Sequence, residues 1–305
     1  MDILHIDGIS KQFGTNKVID GLSFSVKEGS IFGFIGQNGA GKTTTMKMIL
    51  GLLKIDQGEI KVCGEKVTYG DNKTNRMIGY LPDVPEFYNY MKPKEYLKLC
   101  GEITKIPKAE LNTKITELLT LVGLNGANKK IGCFSRGMKQ RLGIAQALLN
   151  EPKLLICHEP TSALDPIGRK EILDILEKVK GKTTVIFSTH ILSDVDRICD
   201  EIAVLHDGKV ALIGTIAELK SRHSQEGLQI DFLTLKDRGN FLNCIGNFDN
   251  IKQINETKMG LTLFSDEIHL LQEKTFECLV AEHILPTKIE VLEPSIEHLF
   301  MEVVK

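Results

Sequence analysis

Three glycines, a lysine and two threonines are packed into nine residues, Gly36-Gln37-Asn38-Gly39-Ala40-Gly41-Lys42-Thr43-Thr44, between the apolar run Ile31–Ile35 and the helical stretch Thr45–Leu53. The spacing is Gly-x4-Gly-Lys-Thr, with a strand before it and a helix after it. Glycines let the backbone wrap a phosphate without Cβ interference, so that N–H groups and a helix N-terminus point at the anion. Lys42 then sits on the β- and γ-phosphates, and the hydroxyl of Thr43 is a hard oxygen ligand suited to Mg2+. The alternative, a glycine-rich turn that merely closes a βα unit, leaves the lysine and threonine without a purpose. The segment therefore predicts a nucleoside triphosphate site, but by itself it does not choose between a kinase, a GTPase and a motor.

A second set of polar residues narrows the choice. Phe134-Ser135-Arg136-Gly137-Met138-Lys139-Gln140-Arg141 precedes the helical Leu142–Leu149; Leu154–Cys157 leads into His158-Glu159-Pro160, then Ser162-Ala163-Leu164-Asp165; and Val185–Thr189 ends in His190. In order and spacing these segments resemble the ATP-binding cassette of ABC transporters over roughly residues 3–215. Kinases and GTPases have no such Ser-x-Gly element ahead of the second acidic motif.

The resemblance implies an ATPase that works as a head-to-tail dimer of cassettes, a homodimer or a heterodimer, with ATP and Mg2+ sandwiched at the interface. Each phosphate cradle would face the Ser135, Arg136, Gly137 and Met138 segment of the opposite subunit. Phe13 matches an aromatic that stacks on adenine, with a plain core phenylalanine as the alternative. Glu159 matches the base that orients the attacking water, and His190 the histidine that contacts the γ-phosphate. Ser162–Asp165 match the loop that couples the two sites.

Three positions depart from the pattern. Asp83, after Met77–Pro82, stands where many cassettes have a glutamine that contacts Mg2+ and senses the membrane partner. Arg136 and Met138 replace a glycine and a glutamine of the common signature, a variant that resembles subfamilies of drug and peptide-antibiotic exporters. His158 takes the place of the aspartate that normally holds the Mg2+ shell. A neutral imidazole can accept a hydrogen bond from a metal-bound water but brings no negative charge, so Mg2+ affinity should fall; the alternative is that water mediates this contact in any case and the replacement is tolerated.

These residues need an α/β framework to hold them. Short β-like runs (Ile31–Ile35, Met77–Leu81, Leu154–Cys157, Thr184–Ser188, Ile202–Leu205) alternate with helical stretches, as in parallel strands joined by right-handed crossovers. The fold expected is a P-loop NTPase cassette with a mostly parallel sheet, a β-rich N-terminal edge and a helical subdomain over about residues 92–146. Of 27 glycines, 23 precede residue 216, and no proline lies between Pro166 and Pro286, which puts a domain boundary near Gly214. Residues 1–215 are then the ATP-binding domain and 216–305 an accessory α+β domain. Its expected strands are Leu228–Leu235, Ile251–Asn255, Leu261–Phe264 and Ile289–Leu292; its helices run from Ile268 to His283 and onward from Ile296, with Ser295 as N-cap. Pro294–Phe300 resembles the tail of export-type cassettes.

Composition excludes several classes. The 305 residues are 42% hydrophobic and 26% charged, which is globular rather than disordered or fibrous. No apolar run is long enough to cross a bilayer, and the start lacks a signal peptide, so the chain alone is expected neither to span a membrane nor to be secreted. Seven scattered cysteines without a CxxC pair predict reduced thiols. Residues 1–215 carry 29 basic against 25 acidic side chains, and residues 216–305 carry 9 against 15. Neither balance argues for a nucleic-acid surface. A cassette without spans implies an integral membrane permease as partner and a place at the cytoplasmic face of the membrane. Phe87, Tyr88 and Tyr90, in Asp83–Met91, suit such a docking surface, or equally the self-packing of the helical subdomain. Two rivals remain: a soluble cassette ATPase acting on ribosomes or DNA, which usually shows two cassettes or a long coiled coil, neither present here, and a regulatory cassette with weak hydrolysis, which His158 favours and the intact Glu159 and His190 disfavour.

Overall fold

A computed structural model describes residues 1–71, 73–222, 226–246, 248–292 and 296–303. The chain divides into two compact units, Met1–Ile216 and Ala217–Glu302.

The first unit opens with two long strands, β1 (Asp2–Phe13) and β2 (Asn16–Lys27), paired antiparallel. With β4 (Gln57–Val62) and β5 (Glu65–Lys66) they form a sheet of order β2-β1-β4-β5. Between them in sequence come β3 (Ile31–Gly36) and α1 (Lys42–Ile49). β3 joins a second sheet with β6 (Ile78–Leu81), β7 (Leu154–His158), β8 (Thr184–Thr189), β9 (Glu201–His206) and β10 (Lys209–Thr215), in the order β10-β9-β3-β8-β7-β6. All neighbours are parallel except β10, which returns antiparallel on β9. The strands β3, β7 and β8 are buried at every position, which is why they read as continuous apolar runs rather than alternating ones.

Apolar residues of both sheets and of α1 share one core. The Phe24 ring of β2 lies 5.4 Å from Phe32 and 5.3 Å from Phe34 of β3, and Met46 and Ile49 of α1 belong to the same cluster. This core fixes the end of β3 and the start of α1, between which the phosphate cradle runs. α1 starts at Lys42, earlier than the sequence pattern indicates, and stops at Ile49, because Gly51 at φ 66° turns the chain away.

The helical subdomain contains α2 (Pro93–Ile103), α3 (Lys108–Leu121) and α4 (Arg136–Leu148). α4 begins six residues before the expected Leu142. Ser135 caps it by accepting from the Met138 N–H at 3.2 Å, so the signature segment forms its first turn. α5 (Pro166–Val179) is capped by Asp165, which accepts from the Gly168 N–H at 2.9 Å, and α6 (Leu192–Ile198) follows β8.

α7 (Ile216–Arg222) leads to the second unit: β11 (Glu226–Phe232), α8 (Leu235–Ile245), β12 (Gln253–Glu256), β13 (Gly260–Ser265), α9 (Ile268–Ala281), β14 (Pro286–Leu292) and α10 (Ile296–Val303). The β-α-β-β-α-β order and the antiparallel sheet β12-β13-β11-β14 make a split-βαβ, ferredoxin-like unit. Leu228 and Ile230 of β11, Leu263 of β13, Phe241 of α8 and Leu271 of α9 form its core.

Two expectations need correcting here. The strand predicted over Leu228–Leu235 ends at Phe232, and Leu235 opens a helix that the apolar pattern did not reveal. Thr234 caps that helix, accepting from the Asp237 N–H at 3.1 Å. The thiols are also not all reduced. Cys244 of α8 and Cys278 of α9 form a disulfide, because both helices pack on one core and bring the two Cα atoms to 6.3 Å. The N-cap proposed at Ser295 lies outside the described residues.

Phe241 is fully buried, with its ring 5.3 Å from Phe232. Phe241→Ala is expected to cost about 3–5 kcal/mol, a large share of what a unit of this size has to lose. Chemical denaturation of the full chain should show an early transition while ATP binding at the first unit persists. An unshifted midpoint would remove Phe241 from the core.

Candidate active site

The cradle runs from Gly36, the last residue of β3, to Lys42, the first of α1. Gly41, at φ 108°, is the residue before the helix, and its conformation is open only to glycine. A Cβ there would also lie 2.5 Å from Ile19 Cδ1. Gly36 is held as tightly, since its Cβ would meet the Leu205 carbonyl oxygen at 2.7 Å.

Lys42 is buried at 5% exposure. Its Nζ donates to the carbonyls of Gly36 at 2.6 Å and Gln37 at 3.3 Å, and lies 3.6 Å from Glu159 Oε1. Burial pushes its pKa below the ordinary lysine value, and Glu159 partly offsets that.

β7 delivers the acidic motif. It ends at His158, and Glu159 then turns at φ 48°, a left-handed conformation rare for a non-glycine residue and typical of functional sites. The Glu159 N–H still donates to the Ser188 carbonyl at 2.8 Å, so the turned residue stays anchored to β8. Glu159 Oε2 pairs with His190 Nδ1 at 2.8 Å, while Oε1, buried, has no hydrogen-bond partner and faces Lys42. One carboxylate thus lies between a fixed cation and a half-exposed imidazole.

His158 is nearly as buried, at 9%. Nε2 is 2.6 Å from Thr43 Oγ1, and Nδ1 is 3.1 Å from Ser188 Oγ, the residue paired with it across β7 and β8. Burial lowers its pKa from the ordinary histidine value, which favours the neutral ring. Ser188 is a site residue that sequence reasoning missed. Only the strand register places it opposite His158.

Gln37, Asn38, Gly39, Gly41, Lys42, Thr43, Thr44, Asp83, His158 and Glu159 line one cleft of about 280 Å3 with Val18. An adjoining cleft of about 440 Å3 lies between Asn16–Val18, Gln37–Ala40 and His206–Gly208. Phe13 pairs in register with Asn16 but lines neither; its ring is 50% exposed, with Lys11 Nζ 5.4 Å from its centroid. Ser135, Gly137 and Met138 also line neither cleft, and Arg136 approaches only through Asp83, with Nη2 3.5 Å from Oδ1. Gln140, inside α4, donates to the Asp83 carbonyl at 2.6 Å and so ties that loop to the signature helix.

Among the described residues no three His, Cys, Asp or Glu side chains converge into a metal cage. The donor set nevertheless fits a divalent ion held jointly with phosphate oxygens: a threonine hydroxyl, an aspartate and an imidazole on one cleft wall.

Comparison with known proteins assigns the family. Residues 19–162 match the family model described as ABC transporter. The chain is 36% identical over 304 residues to the uncharacterized ABC transporter ATP-binding protein YxlF of Bacillus subtilis (strain 168), covering 99% of each. The chain belongs to the ABC transporter ATP-binding proteins. A second full-length relative of this ABC ATPase, 34% identical over 98% of the chain and 97% of its own length, is the linearmycin resistance ATP-binding protein LnrL of the same strain. A solved structure of an ATP binding subunit of an ABC transporter superposes with a TM-score of 0.66 at 32% identity, over 72% of this chain and 92% of that one. The whole-length matches include the second unit, so the relatives share more of this chain than the cassette alone. The ribosome and DNA readings are not favoured. Among the described residues no helix is long and apolar enough to cross a membrane.

Proposed function

We propose that this ABC ATPase hydrolyses ATP with Mg2+ or a related divalent cation and drives export of an antibiotic-like compound through an integral membrane permease. One observation carries the reading: a single cleft gathers the glycine cradle, Lys42, Thr43, His158, Asp83 and Glu159, so phosphate-binding and water-activating groups face the same space. Lys42 would leave the carbonyls of Gly36 and Gln37 for the β- and γ-phosphates. The hydroxyl of Thr43, with Asp83 and His158, would hold the cation, which when bound neutralises phosphate charge. Glu159 would orient the attacking water and take its proton, and His190, on the other carboxylate oxygen, would fix the orientation of Glu159 and reach the γ-phosphate.

The signature residues Ser135, Arg136, Gly137 and Met138 line neither of the two clefts at the cradle of their own subunit, which supports their use across a dimer interface, where the cap hydroxyl and the N-terminus of α4 would meet the γ-phosphate of a second cassette. Phe13, exposed beside the second cleft, would stack on the base. We assign residues 1–215 to this ATP-binding domain and 216–305 to an accessory domain. The antibiotic-like substrate rests on the linearmycin resistance named for LnrL, which covers 98% of this chain, and export is our reading of how an ABC ATPase would serve such resistance.

The permease would dock beside Asp83. Phe87 packs edge-on against Tyr96 of α2 at 5.1 Å, and Tyr88 leans on the same ring at 6.3 Å and on Tyr90 at 5.9 Å, but Tyr88 and Tyr90 remain 54% and 70% exposed and so present a face to a partner. Purification from membranes in mild detergent should recover the chain with a multi-span partner, and the complex should hydrolyse ATP faster than the chain alone. Recovery with ribosomes, or with no membrane protein under conditions that keep other transporters intact, rejects the transport reading.

A further inference from the structure

We propose that His158 and Thr43 present an imidazole nitrogen and a hydroxyl oxygen as adjacent ligands of the nucleotide-bound cation, and that this pair selects a divalent transition ion such as Mn2+ or Co2+ over Mg2+. The inference rests on the ATP-binding reading above and names the cation that the site takes.

Position comes first. Nε2 of His158 and Oγ1 of Thr43 are 2.6 Å apart. Adjacent ligands of an octahedral ion with bonds of about 2.1 Å are roughly 3 Å apart, so a small opening of this pair lets one ion touch both atoms. Such an ion would displace the hydrogen bond between the two atoms, with the Thr43 hydroxyl keeping its proton and turning it away from the ring.

The ring is also prepared as a ligand. Metal-binding histidines engage their other ring nitrogen in a hydrogen bond that fixes tautomer and orientation. Nδ1 of His158 has such a partner in Ser188 Oγ at 3.1 Å. Donation from Nδ1–H to that oxygen leaves the Nε2 lone pair aimed into the cleft. Burial at the end of β7 keeps the ring in place.

Charge and ligand type then decide which ion is favoured. A neutral nitrogen contributes little to Mg2+, which prefers oxygen and keeps its waters, whereas first-row transition ions accept imidazole readily. Negative charge still reaches the ion from Asp83 and Glu159 on the cleft wall and from the nucleotide. The site is therefore a mixed nitrogen and oxygen one, and its preference should weaken when the nitrogen is replaced by a carboxylate.

The test is direct. Full-length protein with histidine labelled by 15N is loaded with Mn2+ and a non-hydrolysable ATP analogue and examined by pulsed EPR, with unlabelled protein in parallel. The expected result is an imidazole 14N coupling that becomes a 15N coupling on labelling, which excludes nitrogens of the nucleotide. It should vanish in His158→Asp and in His158→Asn, the second being a neutral variant in case the first does not fold. Competition of Mg2+ against bound Mn2+ should show the preference for Mn2+ shrinking by about 10- to 100-fold in His158→Asp, the range expected for changes around a metal ligand. Mn2+ bound with nucleotide but without a histidine coupling, a coupling that survives in both variants, or an unchanged preference overturns the proposal and leaves the ATP site standing. Absence of any nucleotide-dependent Mn2+ binding overturns the ATP-binding reading as well.

Discussion

Glu159→Gln will bind ATP and fail to turn it over, and in millimolar ATP with a divalent cation the purified variant will double in mass. The carboxylate occupies a strained turn at φ 48°, with Oε2 on His190 and a buried Oε1 that no hydrogen bond satisfies. A buried acceptor that lacks a hydrogen bond and has only the Lys42 ammonium facing it at 3.6 Å is poised for a ligand, and a water attacking the γ-phosphate fits that position. An amide of the same shape keeps the contact with the histidine but cannot take a proton. Loss of a positioned base lowers turnover by about 10^2- to 10^4-fold. ATP binding needs no base, so nucleotide fills both cassettes and stays. Because Ser135 and Gly137 lie outside both clefts at their own cradle, the filled state should be a dimer. Light scattering reads the mass and a phosphate-release assay the turnover. Normal turnover would falsify the role of Glu159, and a monomer at saturating ATP would count against the two-cassette sandwich.

Much of this site could be read from the sequence because phosphate chemistry dictates residue types at neighbouring positions. Gly36, Gly41, Lys42 and Thr43 lie within eight residues, and the buried strand before them has nothing but apolar side chains to display. The same logic exposed β7, His158 and Glu159. What could not be read depends on distance in sequence. Ser188 becomes a partner of His158 only through the register of two strands thirty residues apart, and the Lys42 to Glu159 approach requires β3 and β7 to flank β8. In the second unit the apolar signal thins out. α8 buries chiefly Phe241 and Ile245 among Lys236, Asp237, Arg238 and Asn240, so its pattern resembled a loop. Cys244 and Cys278 meet only because two helices share one core, and spacing alone cannot show that.

Lys42→Ala should abolish nucleotide binding at concentrations that saturate the natural protein, a loss of at least about 100-fold for a charge-assisted contact to phosphate from a buried ammonium. Two effects add. The variant removes a cation that is 5% exposed and hence poorly screened, and it leaves Glu159 Oε1, now 3.6 Å from Nζ, as an uncompensated negative charge beside an incoming triphosphate. The cradle itself should survive. Its shape is set by Gly36 against Leu205, by the Gly41 turn and by the Thr45 N–H donating to the Gly41 carbonyl at 2.9 Å, none of which needs the lysine. The released carbonyls of Gly36 and Gln37 can take water from the cleft. A general collapse would also weaken binding, so the comparison must include Lys42→Met, which keeps the length and most of the packing of the side chain while removing its charge. Both variants should unfold at nearly the temperature of the natural protein without nucleotide, and neither should gain stability when ATP is added, whereas the natural protein should gain RT ln(1 + [ATP]/Kd). If Lys42→Met keeps an ATP-dependent rise in its unfolding temperature, the charge is not what holds the phosphates, and the assignment of the cradle is wrong. If only Lys42→Ala loses binding and it also unfolds early, the lysine acts by packing. Loss in both variants with unchanged unfolding places the effect on the charge, which is what a buried lysine folded back onto its own loop carbonyls is positioned to supply.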